Sequence, residues 1–301
     1  ISEEFSTPEY DPFFQDIKLE DRLNSSSSEQ DKQSIKNQAI SYRKITSINL
    51  LGVKKNRSEE QKERVYDIEN FDFSYSFNQE LQHDYEIENL TKKTARVSSA
   101  YNYTFNPFVI SPFKKIKFLE SNKYMEWLKE FNFNPLLSSF SFDANINRAF
   151  NSQQFRDIFV EGADASDQIA LPEIQQRNFL FDWNLSLSQN LSNSLRLDFS
   201  ASNNSIVKNY FKSDNTINKD LDIWDGFWNT GEANSHNQSF QLSYELPFKL
   251  FPLINFISSS YNYSGDFNWE RGSDAMASVE DEITGIKLGN VNTVQNSNSQ
   301  A

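Results

Sequence analysis

The chain has 301 residues, and its 42 acidic and 29 basic side chains give a formal net charge of −13. This charge argues against nucleic acid as a partner, because binding phosphates requires a basic surface. The absence of cysteine excludes disulfides and thiolate metal ligands, and two histidines alone, His83 and His236, cannot build a histidine metal cluster.

The composition combines many rings with many small polar side chains. There are 27 Phe and 12 Tyr, yet the mean hydropathy is −0.67. This mixture is typical of strands that turn rings toward lipid and polar groups toward water. No apolar stretch is long enough for a spanning helix, since the most apolar tract, residues 248–257, is interrupted by Lys249, Pro252 and Asn255. The chain lacks a starting Met and a signal-like N-terminus, so we expect a processed protein or an internal piece.

Taken in chain order, residues 1–43 are expected to form an extracellular or poorly ordered segment, with a serine run at 25–28. Residues 44–301 are expected to form a membrane segment, which opens with a weak strand at 44–53. A clear strand follows at 67–78, where alternate residues differ in polarity. The ring-bearing positions are Phe71, Phe73, Tyr75 and Phe77, and the polar positions are Asp72, Ser74, Ser76 and Asn78.

The same alternation recurs in six further segments, at 94–105, 138–149, 178–189, 194–204, 238–246 and 257–269. In the last one the apolar parity changes around 256–258, so the strand begins there or carries a bulge. The residues predicted to face a water-filled lumen are Asp72, Ser74, Ser76, Ser141, Asp143, Asn145, Asp182, Asn184, Ser186, Asn262, Ser264 and Asp266. The residues predicted to face lipid are Phe71, Phe73, Tyr75, Phe140, Phe142, Phe181, Trp183, Tyr261, Tyr263 and Phe267.

The length of these segments, about 10 to 13 residues, favours tilted membrane strands over the shorter strands of a soluble β-sandwich. The predicted fold class is therefore all-β: an antiparallel transmembrane β-barrel segment of about seven or eight long strands. The inward residues are too small to fill an eight-stranded barrel, so the segment is expected to be part of a larger one. The chain ends at 290–301 as though another strand were about to begin.

The connections predict the orientation. Residues 79–93, 151–177, 205–237 and 270–285 read as long extracellular loops, whereas the junctions at 191–193 and 247–253 are short and periplasmic. The connection at 106–137 is long where a short one is expected. Within it, residues 121–130 predict a short amphipathic helix at the membrane interface, with Tyr124, Trp127 and Leu128 at helical spacing.

Several short stretches of the sequence resemble those of one protein family. They are residues 1–4 and 10–12, residues 65–71, residues 127–135 with 144–148, and residues 244–247 continuing to Tyr263. They resemble the SprA (Sov) family, the outer-membrane translocons of the Bacteroidetes type IX secretion system, which is linked to gliding motility. The resemblance implies an internal portion of a much longer chain that forms a very large barrel for folded cargo proteins. It also implies subunits that cap a lateral opening and plug the periplasmic end, but it assigns no functional residue.

We therefore expect a wall segment of a protein-conducting channel in the cell outer membrane, in contact with membrane lipid, lipopolysaccharide and the remaining strands of the same chain. The alternative is a small self-contained barrel that acts as an adhesin or surface-binding module. No catalytic motif is recognisable, so we expect neither enzymatic activity nor a cofactor. Residues 214–232, rich in Asp and Trp, could bind calcium or glycan, but without EF-hand spacing they favour a self-packed loop whose aromatics fold over the barrel mouth. Both histidines are expected to be ordinary exposed residues.

Overall fold

The structure is a computed structural model that describes residues 1–116, 125–156, 171–210, 212, 216–218, 221–274, 280, 289 and 291–301. It contains one antiparallel sheet of ten strands in which each strand pairs with the next along the chain. The all-β fold predicted from the alternating segments is thereby confirmed. The strands are β1 Ser2–Ser6, β2 Ser41–Val53, β3 Phe71–His83, β4 Ile87–Thr104, β5 Ser139–Phe155, β6 Ile174–Asn190, β7 Leu195–Ile206, β8 Glu232–Leu246, β9 Ser259–Glu270 and β10 Thr293–Gln300.

The sheet is open. Among the described residues, β1 pairs only with β2 and β10 pairs only with β9, so the first and last strands form two separate edges. Because the strands follow one another as a meander, the connections after odd-numbered strands all lie at one end of the sheet. We call this the strap end, and the end that holds the connections after even-numbered strands the far end.

Several strands are longer than the sequence pattern predicted. The predicted loop at 79–93 is mostly strand, because β3 runs to His83 and β4 starts at Ile87. The turn between them is closed by Asp84, whose Oδ1 accepts hydrogen bonds from the backbone N–H groups of Glu86 at 2.9 Å and Ile87 at 2.7 Å. Such an Asx turn satisfies backbone donors locally, so a three-residue connection is sufficient here.

The first 43 residues contain more regular structure than the expected loop. Besides β1, they form helix α1 at Leu19–Ser25 and helix α2 at Glu29–Ala39. The hydroxyl of Ser28 caps α2 by accepting a hydrogen bond from Asp31 N at 3.0 Å. Asp11 is buried, and its carboxylate pairs with Arg22 of α1. The sequence shows little helical spacing of apolar residues here, because these helices bury few side chains.

At the far end, the β4–β5 connection contains a short helix, α3, at Glu126–Lys129. It falls within the predicted helix at 121–130, of which residues 121–124 lie outside the described part. The ring of Trp127 stacks on Phe251 of the β8–β9 connection, with 6.0 Å between ring centres. Asn134 N donates to Leu191 O at 2.8 Å, so this connection crosses the ends of the intervening strands. Its placement at a membrane interface stays a prediction.

Within the described part of the chain, no helix has the length and apolar character needed to cross a membrane. The small hydrophobic core lies on one face of the sheet and consists of Ala95, Phe179, Val207 and Ile223, with Phe77 and Phe227 packed against it.

Candidate pore-lining face

The register separates the predicted residues into two groups on opposite faces. Directly paired residues in an antiparallel sheet project to the same side, and side chains alternate along each strand. All twelve predicted lumen-facing residues fall on one face, which we call the polar face, and all ten predicted lipid-facing residues fall on the other, which we call the ring face. That these faces meet water and lipid stays a prediction.

The ring face carries contacting rings across several strands. Phe142 of β5 lies 6.3 Å from Trp183 of β6, Trp183 lies 5.9 Å from His236 of β8, and His236 lies 6.4 Å from Phe267 of β9, measured between ring centres. His236 therefore lies inside β8, where it is half-buried among aromatic rings rather than exposed as expected. Rows of this kind stabilise a sheet through cross-strand packing.

The polar face is crossed by a chain of side-chain hydrogen bonds. Arg96 Nε donates to Asn147 Oδ1 at 2.6 Å, and Asn147 Nδ2 donates to Asp182 Oδ2 at 3.2 Å. Asn204 Nδ2 donates to the other oxygen of Asp182, and Asn234 Nδ2 donates to Asn204 Oδ1 at 3.4 Å. This chain links β4 to β8 and holds the small polar side chains in place.

The polar face carries an excess of carboxylates. Glu80 pairs with Arg43 and Lys92, and Asp198 pairs with Arg196. In the part of the chain that the structure describes, the predicted lumen-facing acids form no ion pair; they are Asp72, Asp143, Asp182 and Asp266. Amides support two of them instead, since Asp143 accepts from Asn184 at 2.8 Å and Asp182 accepts from Asn147. These carboxylates leave a negative surface on the polar face.

The apolar part of the ring face is a band that runs obliquely across the strands. One cross-sheet row contains Phe71, Tyr101, Phe142, Leu185, Ala201, Gln238 and Phe267. On β3 the apolar run starts at this row and extends toward the strap end, to Phe77. On β8 the apolar run, from Phe240 to Tyr244, lies wholly on the far-end side of the row.

From β2 to β9, the middle of this band moves by roughly one residue per strand. A shift of about one residue, or about 3.4 Å, for each strand spacing of about 4.8 Å corresponds to an angle of about 35°. A horizontal band on the sheet therefore requires strands inclined by that angle.

The β7–β8 connection folds back onto the ring face instead of projecting from the end of the sheet. We call the described residues between 207 and 231 the strap. Trp224 of the strap lies 5.4 Å from Phe77 of β3 between ring centres, and Ile223 is fully buried in the core against Ala95 and Phe179. Arg177 of β6 donates to the carbonyls of Asn218 at 2.7 Å and Leu221 at 2.8 Å. The strap thus covers the strap-end part of β3 to β6.

Arg148 of β5 is the central contact beneath the strap. It is 1% exposed although it stands at a ring-face position, opposite Ala95 and Phe179. Its guanidinium lies 5.2 Å from the ring of Phe179 and 5.7 Å from that of Phe227. It donates hydrogen bonds at 2.8 Å to the strap carbonyls of Phe227 and Asn229. One guanidinium therefore contacts two rings and donates to two carbonyls of the strap, which its planar shape allows.

A second polar contact joins the strap to β4. Lys93 Nζ donates to Asp222 Oδ1 at 2.8 Å. Burial opposes the charge of Asp222, but the hydrogen bonds from Lys93 and from Ile223 N outweigh it and hold the pKa of Asp222 below its ordinary value. Asp222 is thus half-exposed but paired with the sheet.

The described residues of 214–232 do not form an arrangement that supports a calcium or glycan site. Asp214 and Asp220 lie outside the described residues, and the residues that are described contain no group of three or more His, Asp or Glu side chains able to hold a metal. A self-packed loop whose aromatics fold over the barrel mouth was expected there, but its rings cover the ring face rather than an open end of the sheet.

The sequence reasoning did not single out Lys93, Arg148 and Arg177 as a group. Each interrupts the apolar parity of its strand near the strap end, and such an interruption was the available signal for a covered patch. No protein-family model matches the chain, and no curated protein matches it either.

Proposed function

We propose that this chain forms part of the wall of an outer-membrane channel that conducts folded proteins, with the polar face toward the water path and the ring face toward lipid. The resemblance to the SprA (Sov) family suggests type IX secretion as the setting. The oblique apolar band is the observation that carries the proposal. A membrane is flat, so a band that meets it must be level, and the strands must then tilt by about 35°, within the range of membrane barrels.

Two other features support a wide channel. The polar face carries mostly small side chains, and their hydrogen bonds run sideways within the sheet rather than outward. Such side chains leave a lumen open to water instead of filling it. In addition, the two edges of the sheet are unpaired in the described part of the chain. Exposed edges favour pairing with further strands, which suits a segment of a larger barrel better than a self-contained adhesin.

Single-cysteine labelling of the full-length protein tests the assignment of faces, because this chain contributes no cysteine of its own. Ser141→Cys, Asn184→Cys and Asp266→Cys report on the polar face. Phe142→Cys, Leu185→Cys and Phe267→Cys are matched partners on the same strands. In outer-membrane vesicles, a charged water-soluble maleimide is expected to label the first set and a lipid-confined maleimide the second. Reversed or equal labelling of the two sets would reject the proposal.

A secretion assay tests the proposed function directly. The full-length protein with a bulky polar adduct on several polar-face cysteines at once should conduct less cargo, while the same number of adducts on the ring face should not. A segment from 1 to 301 that refolds alone in detergent as a closed, heat-modifiable monomer would favour the adhesin alternative instead.

A further inference from the structure

The apolar band is short on β5, the strand that carries Arg148 beneath the strap. Within β5 it extends only from Phe140 to Ile146 before Arg148 interrupts it. Six residue steps are about 20 Å along a strand, or about 17 Å of membrane depth at a tilt of about 35°. Membrane barrels present an apolar band of about 25 Å. β5 therefore lacks about a third of the height that its ring face would have to offer to lipid.

The strap occupies the position of the missing part. Its underside covers Arg148, Lys93 and Arg177, the charges that interrupt the ring face near the strap end. Its rings continue the aromatic surface of the sheet outward: Phe77 contacts Trp224 at 5.4 Å, Trp224 contacts Phe227 at 5.5 Å, and Phe227 contacts Trp228 at 5.5 Å between ring centres.

The outer surface of the strap carries two tryptophans, next to exposed polar residues such as Asp225 and Asn229. Trp228 is 77% exposed and Trp224 is 42% exposed. Trp is the residue type that favours the headgroup level of a bilayer, because its ring is apolar and its N–H remains hydrogen-bonded. The connection belongs to the same end as the other long loops, which the sequence predicts to be extracellular.

We infer that the strap is a lipid-binding element that lies against the outside of the barrel in the outer leaflet, where Trp228 and Trp224 contact the boundary between headgroups and acyl chains. This inference rests on the proposed function, because it requires the ring face to meet lipid. The buried contacts of Arg148 hold the strap to the wall, so the strap completes the membrane-facing surface that β5 leaves short.

Lipid quenching in the full-length protein tests it. An environment-sensitive fluorophore is attached to Trp228→Cys, which is exposed enough to be substituted without disturbing the fold. The protein is reconstituted into phosphatidylethanolamine and phosphatidylglycerol vesicles that contain phosphatidylcholine spin-labelled either near the headgroup or near the chain end. Phe267→Cys serves as the mid-band control and Asn184→Cys as the polar-face control.

The label at 228 is expected to be quenched about twofold more strongly by the shallow spin label than by the deep one. The label at 267 is expected to be quenched by both spin labels. Quenching of the label at 267 without quenching of the label at 228 would overturn the inference about the strap but not the proposed function. A water-soluble quencher then distinguishes a strap that points into water, which it quenches, from a strap covered by a partner protein, which it does not. Quenching at 184 but not at 267 would instead reject the proposed function, and the inference with it.

Discussion

Arg148 and Phe227 are joined twice: the guanidinium donates to the backbone carbonyl of Phe227 at 2.8 Å and also lies 5.7 Å from the centre of its ring. These residues come from a strand and from a loop far along the sequence, so their contact fixes the strap onto the sheet. Because a guanidinium stays protonated, burying it in this way is favourable only while the carbonyls and ring faces remain in place.

We predict that Arg148→Ala releases the strap. The substitution leaves the carbonyls of Phe227 and Asn229 without their donor, at a cost of about 1–3 kcal/mol for each group that remains buried. Chymotrypsin should then cleave the strap at Phe227 or Trp228 more than about tenfold faster than in the unsubstituted protein, because cleavage follows the open population.

Arg148→Lys separates charge from shape. A lysine has the same charge but no planar fork, so cleavage should be intermediate. Arg196→Ala is the matched control, because Arg196 is exposed on the polar face and, among the described residues, forms an ion pair with Asp198 alone. Equal cleavage in all four proteins would show that Arg148 does not hold the strap.

Docking of the strap is predicted to depend on pH through Asp222. The pKa of Asp222 is lowered because hydrogen bonds from Lys93 and Ile223 N outweigh the cost of burial, and of these donors Lys93 is the one that docking supplies. The ion pair therefore contributes fully above the ordinary aspartate value of about 4, and its contribution is lost as the pH falls through the lowered pKa. The anisotropy of a label at Trp228→Cys should fall only in that acidic range.

Asp222→Asn is the control for the pH effect. It removes the titrating group, so the anisotropy in this variant should start lower at neutral pH and should lose the acidic transition. A transition of unchanged size in Asp222→Asn would assign the effect to another group.

The sequence was sufficient for the strands and their faces because alternation is a local property. Phe71 and Asp72 reveal their opposite faces without knowledge of any neighbour, and the register only brings such residues into line. The strand ends were less predictable, since polar stretches such as 79–83 pair as well as apolar ones once a turn at Asp84 is in place. The strap could not be predicted, because its contact with Arg148 depends on how two distant segments meet.

The return of the strap into β8 is predicted to require glycine at 231. Gly231 has φ of +70°, and a Cβ there would lie 2.4 Å from Ile206 O. Gly231→Ala should lower the free energy of unfolding by the left-handed cost of about 1–2 kcal/mol and by a backbone clash in addition. Gly226→Ala has a similar φ of +60° with its nearest contact at 3.8 Å, so it should incur the first cost alone.

The measurement is the temperature at which the full-length protein loses its heat-modifiable electrophoretic mobility. Gly231→Ala should unfold at a lower temperature than Gly226→Ala, and both below the unsubstituted protein. The same temperature for both variants would contradict the close approach of residue 231 to β7.

The uncompensated carboxylates of the polar face predict a cation-preferring pore. The quadruple variant changes four aspartates of the polar face to Asn: Asp72, Asp143, Asp182 and Asp266. In planar bilayers under a salt gradient, the reversal potential of this full-length variant should shift in the direction of lower cation preference. Fixed charges act over about 30 Å at about 0.01 M salt and only about 3 Å at about 1 M. The shift should therefore be clear in dilute salt and vanish in concentrated salt.

Removing four acids from the connections provides the matched control, with Glu20, Asp21, Glu59 and Glu60 each changed to its amide. The net charge changes by the same amount, but these side chains are exposed and lie in α1 or in the β2–β3 connection. If both variants shift the reversal potential equally, the effect reflects total charge and the polar face does not line the path. If only the polar-face variant shifts it, the ions pass along the side chains that the alternation assigned to the lumen, because charge selectivity decays within a Debye length of the path.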